Sequence, residues 1–303
     1  MARRYALLDV FTNRALAGNP LAVVLDGEGL SDERMQAIAK EFNLSETVFV
    51  LPADNPAHSA KVRIFTPARE LPFAGHPTVG TAILLAHERF GEVEADADAV
   101  VVLEENIGNV RCGVVLKGGA AGFAEFDVPK LSVPSMPVGS KEPIAAALGL
   151  SPHEIGFENH VPSCFDAGVP FAFVPVANLD ALSRAKPQLQ DWDAAFGAEV
   201  HKDVYVYCRQ TTAHDSAFSA RMFAPTMGIA EDPATGAAAA AFAGVVHHFD
   251  ELLDGTHFVR IEQGYYMGRP SLIDLEIDLD NGKLNGVRIG GQAVVVARGE
   301  LYL

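Results

Sequence analysis

The sequence predicts an α+β protein of two similar domains related by a pseudo-twofold axis, and three observations carry that expectation. The chain has 303 residues, too many for one ordinary core and suited to two domains of average size. β-Rich segments outnumber helical ones, which favours long antiparallel pairing over a Rossmann alternation. Two motif blocks also recur in the same order in each half. Arg63-Ile64-Phe65-Thr66-Pro67 matches Arg221-Met222-Phe223-Ala224-Pro225 as R-x-F-x-P. His76-Pro77-Thr78-Val79-Gly80-Thr81-Ala82 matches Asp232-Pro233-Ala234-Thr235-Gly236-Ala237-Ala238 as x-P-x-x-G-x-A. Ordered repetition of this kind reads as an internal duplication.

Tyr5 to Phe11 and Leu21 to Leu25 read as strands joined by a turn containing Gly18-Asn19-Pro20. Ser31 caps a helix that runs to about Phe42, with Asp32 and Glu33 suiting its positive end. Thr47 to Leu51 and Lys61 to Phe65 are β-rich, and Pro77 to Phe90 reads as a helix with proline in its first turn. Val100 to Leu103 and Val110 to Leu116 form a strand pair. The prolines between Pro129 and Pro143 mark the boundary, so that the domains are 1–128 and 129–303. The second half repeats the style, with strands at Phe171 to Val176 and Val204 to Cys208, a helix after Pro233, and strands to the C-terminus.

A formal net charge of −16 excludes nucleic acid and anionic membrane as natural partners, but leaves open a small anion held by local donors. Cys112, Cys164 and Cys208 form no CxxC pair, so a reducing compartment without disulfides is expected. Asp9, Asn13 and Arg14 interrupt any signal-like apolar run, and Ala237 to Val246 is too short to span a membrane. The cytoplasm is the expected compartment.

Each repeat ends in a helix start, whose early N–H groups and dipole make an anion site. Two such starts facing across a cleft could hold a carboxylate, with Gly75, Gly80 and Gly236 allowing close approach. The plainer alternative is that proline and small residues only pack two core helices. His76 and Asp232 stand at these starts, His76 in an exposed position of functional type, Asp232 equally able to serve as an ordinary N-cap. Glu46 falls where a helix ends and a strand begins, among apolar neighbours that suit acid–base work, although such a glutamate is commonly a solvated surface group. Phosphate-loop, nucleophile-elbow and H-E-x-x-H motifs are absent. The glycines of Gly118 to Gly122 lack dinucleotide spacing, and His247-His248 would diverge on a helix rather than share a metal.

At these residues the sequence resembles the PhzF-like family, named for a phenazine-biosynthesis isomerase, with the diaminopimelate-epimerase fold. The resemblance runs through Phe11, Gly18-Asn19-Pro20, Asn43 to Thr47, Gly75 to Ala82, Gly228 to Gly236, Glu262-Gln263-Gly264, Gly268 to Ser271 and Gly290 to Ala293. It implies two domains, each a long helix wrapped by mostly antiparallel strands, a terminal strand crossing back to the first, a cleft site, a homodimer, and neither metal nor organic cofactor. It implies that Glu46 is the catalytic base and then acid, and that His76 and Asp232 contact substrate. Asn19, Gly75, Pro77, Thr78, Gly80, Thr235, Gly236 and Ala237 are then the substrate-binding positions. Ala237 departs from the serine that the phenazine enzyme carries there, which argues for a different substrate.

The expected activity is a cofactor-independent isomerisation in which Glu46 moves a proton on a small carboxylate-bearing substrate. An epimerase or racemase with two opposing acid–base groups, and a non-catalytic binding protein of the same fold, are the alternatives.

Overall fold

The computed structural model describes residues 2–91, 96–117, 121–136, 138–197 and 203–303. Contacts divide the chain into two compact units, residues 1–127 with 290–303, and residues 128–289. Strands dominate and helices are few.

The first unit contains β1 (Ala2–Val10), β2 (Asn19–Val24), α1 (Asp32–Phe42), β3 (Glu46–Leu51), β4 (Ala60–Phe65), β5 (Glu70–Leu71), α2 (Gly75–Phe90), β6 (Ala97–Glu105), β7 (Gly108–Leu116) and β8 (Ala121–Asp127). The second contains β9 (Val133–Pro134), α3 (Lys141–Leu148), β10 (Ser163–Asp166), β11 (Pro170–Pro175), α4 (Leu179–Arg184), α5 (Leu189–Phe196), β12 (Val204–Cys208), β13 (Phe218–Ala224), β14 (Ile229–Asp232), α6 (Gly236–Phe249), β15 (Gly255–Gln263) and β16 (Ser271–Asp280). The last strand, β17 (Lys283–Tyr302), begins in the second unit and ends in the first, where Ala293–Tyr302 pairs antiparallel with β1.

Each unit is organised round a helix apolar on every side. α2 buries all of its first ten residues and packs against β1, β2, β3, β6, β7 and β8. α6, largely alanine, is buried along nearly its whole length and packs against β9, β10, β11 and β16. A helix without a polar face has to be enclosed, and the strands do this.

The pairings recur in the same order. β1–β2 and β10–β11 are antiparallel, β2–β3 and β11–β12 parallel, β3–β4 and β12–β13 antiparallel. Next, β4–β5 and β13–β14 are antiparallel hairpins, β4–β6 and β13–β15 parallel, β6–β7 and β15–β16 antiparallel. The repeated arginines close their hairpins in the same way. Arg63 Nε and Nη2 donate to Glu70 Oε1 and Oε2 at 2.7 and 2.6 Å, and Arg221 does so to Glu231 at 2.9 and 2.8 Å. Each guanidinium also lies over the phenylalanine two residues on, Phe65 or Phe223.

α1 forms as its sequence predicts. Ser31 Oγ accepts from the Arg34 N–H, and Asn43 ends the helix in the left-handed conformation with φ 51°. Helices α3, α4 and α5 were not expected from the sequence. They are six to eight residues long and bury Ile144, Leu148, Leu182, Trp192 and Phe196 in a separate core. Such short helices carry too few turns to show a clear period.

Cys112, Cys164 and Cys208 are free and buried. His247 Nε2 meets the Gly282 carbonyl, while Asp250 pairs with His160 and Arg209, so these groups serve separate partners. Gly118, Gly119 and Pro137 lie outside the described residues; Gly122 lies in β8, where a Cβ would meet Ile83. Among the described residues no helix is long and apolar enough to cross a membrane.

Candidate active site

Glu46 is the first residue of β3, three residues beyond the left-handed Asn43 that stops α1. That tight exit directs the chain into parallel pairing with β2, where Glu46 stands opposite Leu21. Its side chain is 13 % exposed and Oε2 lies 3.4 Å from His76 Nε2.

His76 is the second residue of α2 and is buried, not exposed as the sequence suggested, because α2 is enclosed from its first turn. Burial drives its pKa down to about 3, so the ring is neutral. Nδ1 lies 3.3 Å from Nδ2 of Asn19, the fully buried first residue of β2. An amide that donates to Nδ1 leaves the ring proton on Nε2, the atom that faces Glu46. The first unit thus brings together Asn19, Glu46 and His76.

The other expected positions in this unit lie along the first turns of α2. Gly75 opens the helix, Pro77 is its third residue, and the Thr78 hydroxyl lies 2.8 Å from both the Ala74 carbonyl and Glu105 Oε1. At Gly80 a Cβ would come within 2.7 Å of Val10 and Leu21 side chains, so its bareness lets α2 sit against β1 and β2.

In the second unit, Asp232 ends β14 and is buried, with Oδ2 accepting from the Thr235 hydroxyl at 2.5 Å. Thr235, not Asp232, is the N-cap residue of α6, Gly236 is the first helical residue, and Ala237 is the second and partly exposed. Gln263, fully buried at the end of β15, holds this loop. Its Nε2 donates to the Asp232 carbonyl (2.8 Å) and Thr235 Oγ1 (3.1 Å), while Oε1 accepts from Thr235 N–H and Tyr205 hydroxyl, each at 3.2 Å.

These positions correct the sequence alignment of the two blocks. α6 is not opened by proline: Pro233 lies three residues ahead of its first residue, whereas Pro77 lies inside α2. Counting from the two arginine-bound glutamates gives the shared pattern E-x-P-x-x-G. Glu70-Leu71-Pro72-Phe73-Ala74-Gly75-His76 then matches Glu231-Asp232-Pro233-Ala234-Thr235-Gly236-Ala237. His76 therefore corresponds to Ala237, and Asp232 to Leu71. The x-P-x-x-G-x-A match arose because both helices are rich in small residues. Glu105, the partner of the Thr78 hydroxyl, carries little signal in the sequence beyond a charged residue ending a β-rich run.

A neutral imidazole with its N–H toward a carboxylate, beside the N-terminal turn of a helix, is equipped for proton transfer at carbon and for stabilising the charge that develops. The phenazine biosynthesis-like model of the PhzC-PhzF family matches residues 8–299. An uncharacterized isomerase of Mesorhizobium japonicum is 56 % identical over 304 residues, covering 99 % of each chain. Trans-2,3-dihydro-3-hydroxyanthranilate isomerase of Pseudomonas aeruginosa is 33 % identical, again covering 99 % of each chain. The crystal structure of a Bacillus anthracis PhzF-family phenazine biosynthesis protein superposes with a TM-score of 0.88 at 26 % identity, over the full length of both chains.

With this fold, this site and these relatives, the protein is an isomerase. The chain belongs to the PhzC-PhzF, phenazine biosynthesis-like, family.

Proposed function

We propose that the protein is a cofactor-independent isomerase in which Glu46 takes a proton from one carbon of a small carboxylate-bearing substrate and returns it to another. The observation that carries this reading is the 3.4 Å approach of His76 Nε2 to Glu46 Oε2 at the start of α2. The carbon acid is activated by conjugation or by its own carboxylate, and the charge released onto it meets the His76 N–H and backbone N–H groups of a helix start. Asp232, held by Thr235, contacts substrate rather than acting as the shuttle. Gly75, Pro77, Thr78, Gly236 and Ala237 line the two helix starts, and the working form is a homodimer in the cytoplasm.

Inversion at a single carbon would call for acid–base groups on opposite faces. One mobile carboxyl suffices for a proton shift, which favours isomerisation over racemisation. The recurring pairings and the matched arginine–glutamate hairpins support the reading of the units as duplicated copies.

The substrate of the Pseudomonas relative, a dihydro-hydroxyanthranilate, is the first compound to try, followed by other small unsaturated carboxylates that raise the melting temperature. With a confirmed substrate in deuterated water, wild-type enzyme is expected to place deuterium at the new C–H, and Glu46→Gln to lose turnover by about 10⁴-fold or more while retaining ligand binding. Near-normal turnover of Glu46→Gln would overturn the reading and shift the base to Asp232.

A further inference from the structure

Glu105, the last residue of β6, is a buried carboxyl to which the mechanism above gives no role. Its Oε1 lies 2.8 Å from Thr78 Oγ1, and its Oε2 is buried with no hydrogen-bond partner among the described residues. An ionised carboxylate with one oxygen dry and unbonded would be costly to keep.

Hydrogen-bond arithmetic at Thr78 agrees. Its hydroxyl has one proton and lies 2.8 Å from both the Ala74 carbonyl, which can only accept, and Glu105. Both contacts are satisfied when Thr78 donates to Ala74 and a protonated Glu105 donates to Thr78. Ala74 is the N-cap residue of α2, two residues before His76.

The second unit supplies an internal control. The parallel registers place Ala60 opposite Leu103 and Phe218 opposite Ile261, and both Ala60 and Phe218 stand three residues before their repeat arginine. Leu103-Glu104-Glu105 therefore matches Ile261-Glu262-Gln263. The middle glutamates act alike: Glu104 accepts from the N–H groups of Asp54 and Asn55, and Glu262 from those of Thr212 and Ala213. Gln263, in the place of Glu105, is a neutral donor and acceptor holding the residues before α6.

We infer that Glu105 is a positioning residue: kept as a neutral acid, it donates to Thr78 and so fixes the helix start that carries His76. This rests on the reading of the α2 start as part of the catalytic site. The elements packed on β6 are α2, β4 and β7. Lys61 and Arg63 of β4 and Arg111 of β7 lie on the more exposed faces of their strands. That leaves His76 and His87 on α2 and Cys112 on β7 in the interior. Burial pushes Glu105 up to about 8.

The test requires no substrate. Between 4.5 and about 8 the folded protein holds a proton on Glu105 that the unfolded chain has lost, so this group makes stability fall as pH rises through that window. Glu105→Gln replaces the acid with an amide that also donates to Thr78. Its denaturant stability is expected to exceed that of wild type by a margin that widens from about pH 5 to about pH 8 and then levels off. The His76 ring, itself neutral throughout, is the second readout. Its NMR resonances, assigned with His76→Asn, are expected to shift with a midpoint near 8 in wild type and to stay flat in Glu105→Gln.

A margin independent of pH, or His76 resonances unmoved in wild type, would overturn the inference. Should Glu105→Gln not fold, infrared spectra of wild type decide it. The carbonyl stretch of a protonated carboxylic acid must be present at neutral pH and vanish on alkalinisation. None of these outcomes depends on Glu46 turnover, so failure here and failure of the proposed reaction are separable.

Discussion

His76 Nε2 and Glu46 Oε2 meet at 3.4 Å as a neutral ring and a carboxyl, not as an ion pair, because burial denies the imidazole its second proton until about pH 3. A ring that does not titrate near neutrality can donate a hydrogen bond unchanged while the carboxyl beside it gains and loses a proton.

This has a signature in pH. The unfolded chain protonates this histidine near its ordinary value of 6.5 and the folded protein only near 3, so the unfolded state binds more protons between them. Stability contributed by His76 is therefore full above 6.5 and is lost as pH falls toward 3. His76→Asn is expected to flatten that acid limb in denaturant titrations. On a confirmed substrate, His76 should add no limb to the kcat profile between about pH 5 and about pH 8.

Glu46→Asp keeps the charge but withdraws the carboxyl by a methylene from a strand position fixed by pairing with β2. Misplacement of about 1 Å is expected to cost on the order of 10²-fold in kcat. The melting temperature should stay near that of wild type, since Glu46 is partly exposed.

The two hairpin arginines should differ in worth. Arg221 is 11 % exposed and, besides Glu231, donates to the carbonyls of Leu182, Ser183 and Ala185. Arg221→Ala leaves a half-buried carboxylate and three acceptors without their donor, and a loss of about 3 kcal/mol is expected in urea unfolding. Arg63 is 20 % exposed, and Asn106 also bonds Glu70, so Arg63→Ala should cost clearly less.

Gly264 has φ +75°, and a Cβ there would fall 2.3 Å from the Arg269 carbonyl oxygen and 2.6 Å from that of Pro233. Gly264→Ala is expected to destabilise by more than the roughly 1–2 kcal/mol of a left-handed alanine alone. Gly29, with φ +76° and open space around it, supplies the comparison: Gly29→Ala should show only that conformational cost.

Much of this is legible in the sequence alone. Ser31, Asp32 and Glu33 announced α1 because capping and dipole effects are local, and Glu46 was located because it follows that helix end. The R-x-F-x-P repeat was visible, but its alignment downstream was not. Pro77 and Pro233 resemble each other in sequence, while the partners that set the true register, Glu70 and Glu231, are fixed only when hairpins close. The burial of His76 and the pairing of Glu105 with Thr78 depend on α2 being enclosed on all sides, which a local pattern does not report.

The path of β17 has a consequence for biosynthesis. Residues 128–289 are contiguous, so the second unit has all its chain once they leave the ribosome, whereas the first lacks the strand beside β1 until residues 290–303 follow. Translation therefore exposes an unpaired edge of β1 for as long as the whole second unit takes to be made. The half synthesised first is the half completed last, and a truncation before Gly290 would release a chain whose later-made portion alone can be finished.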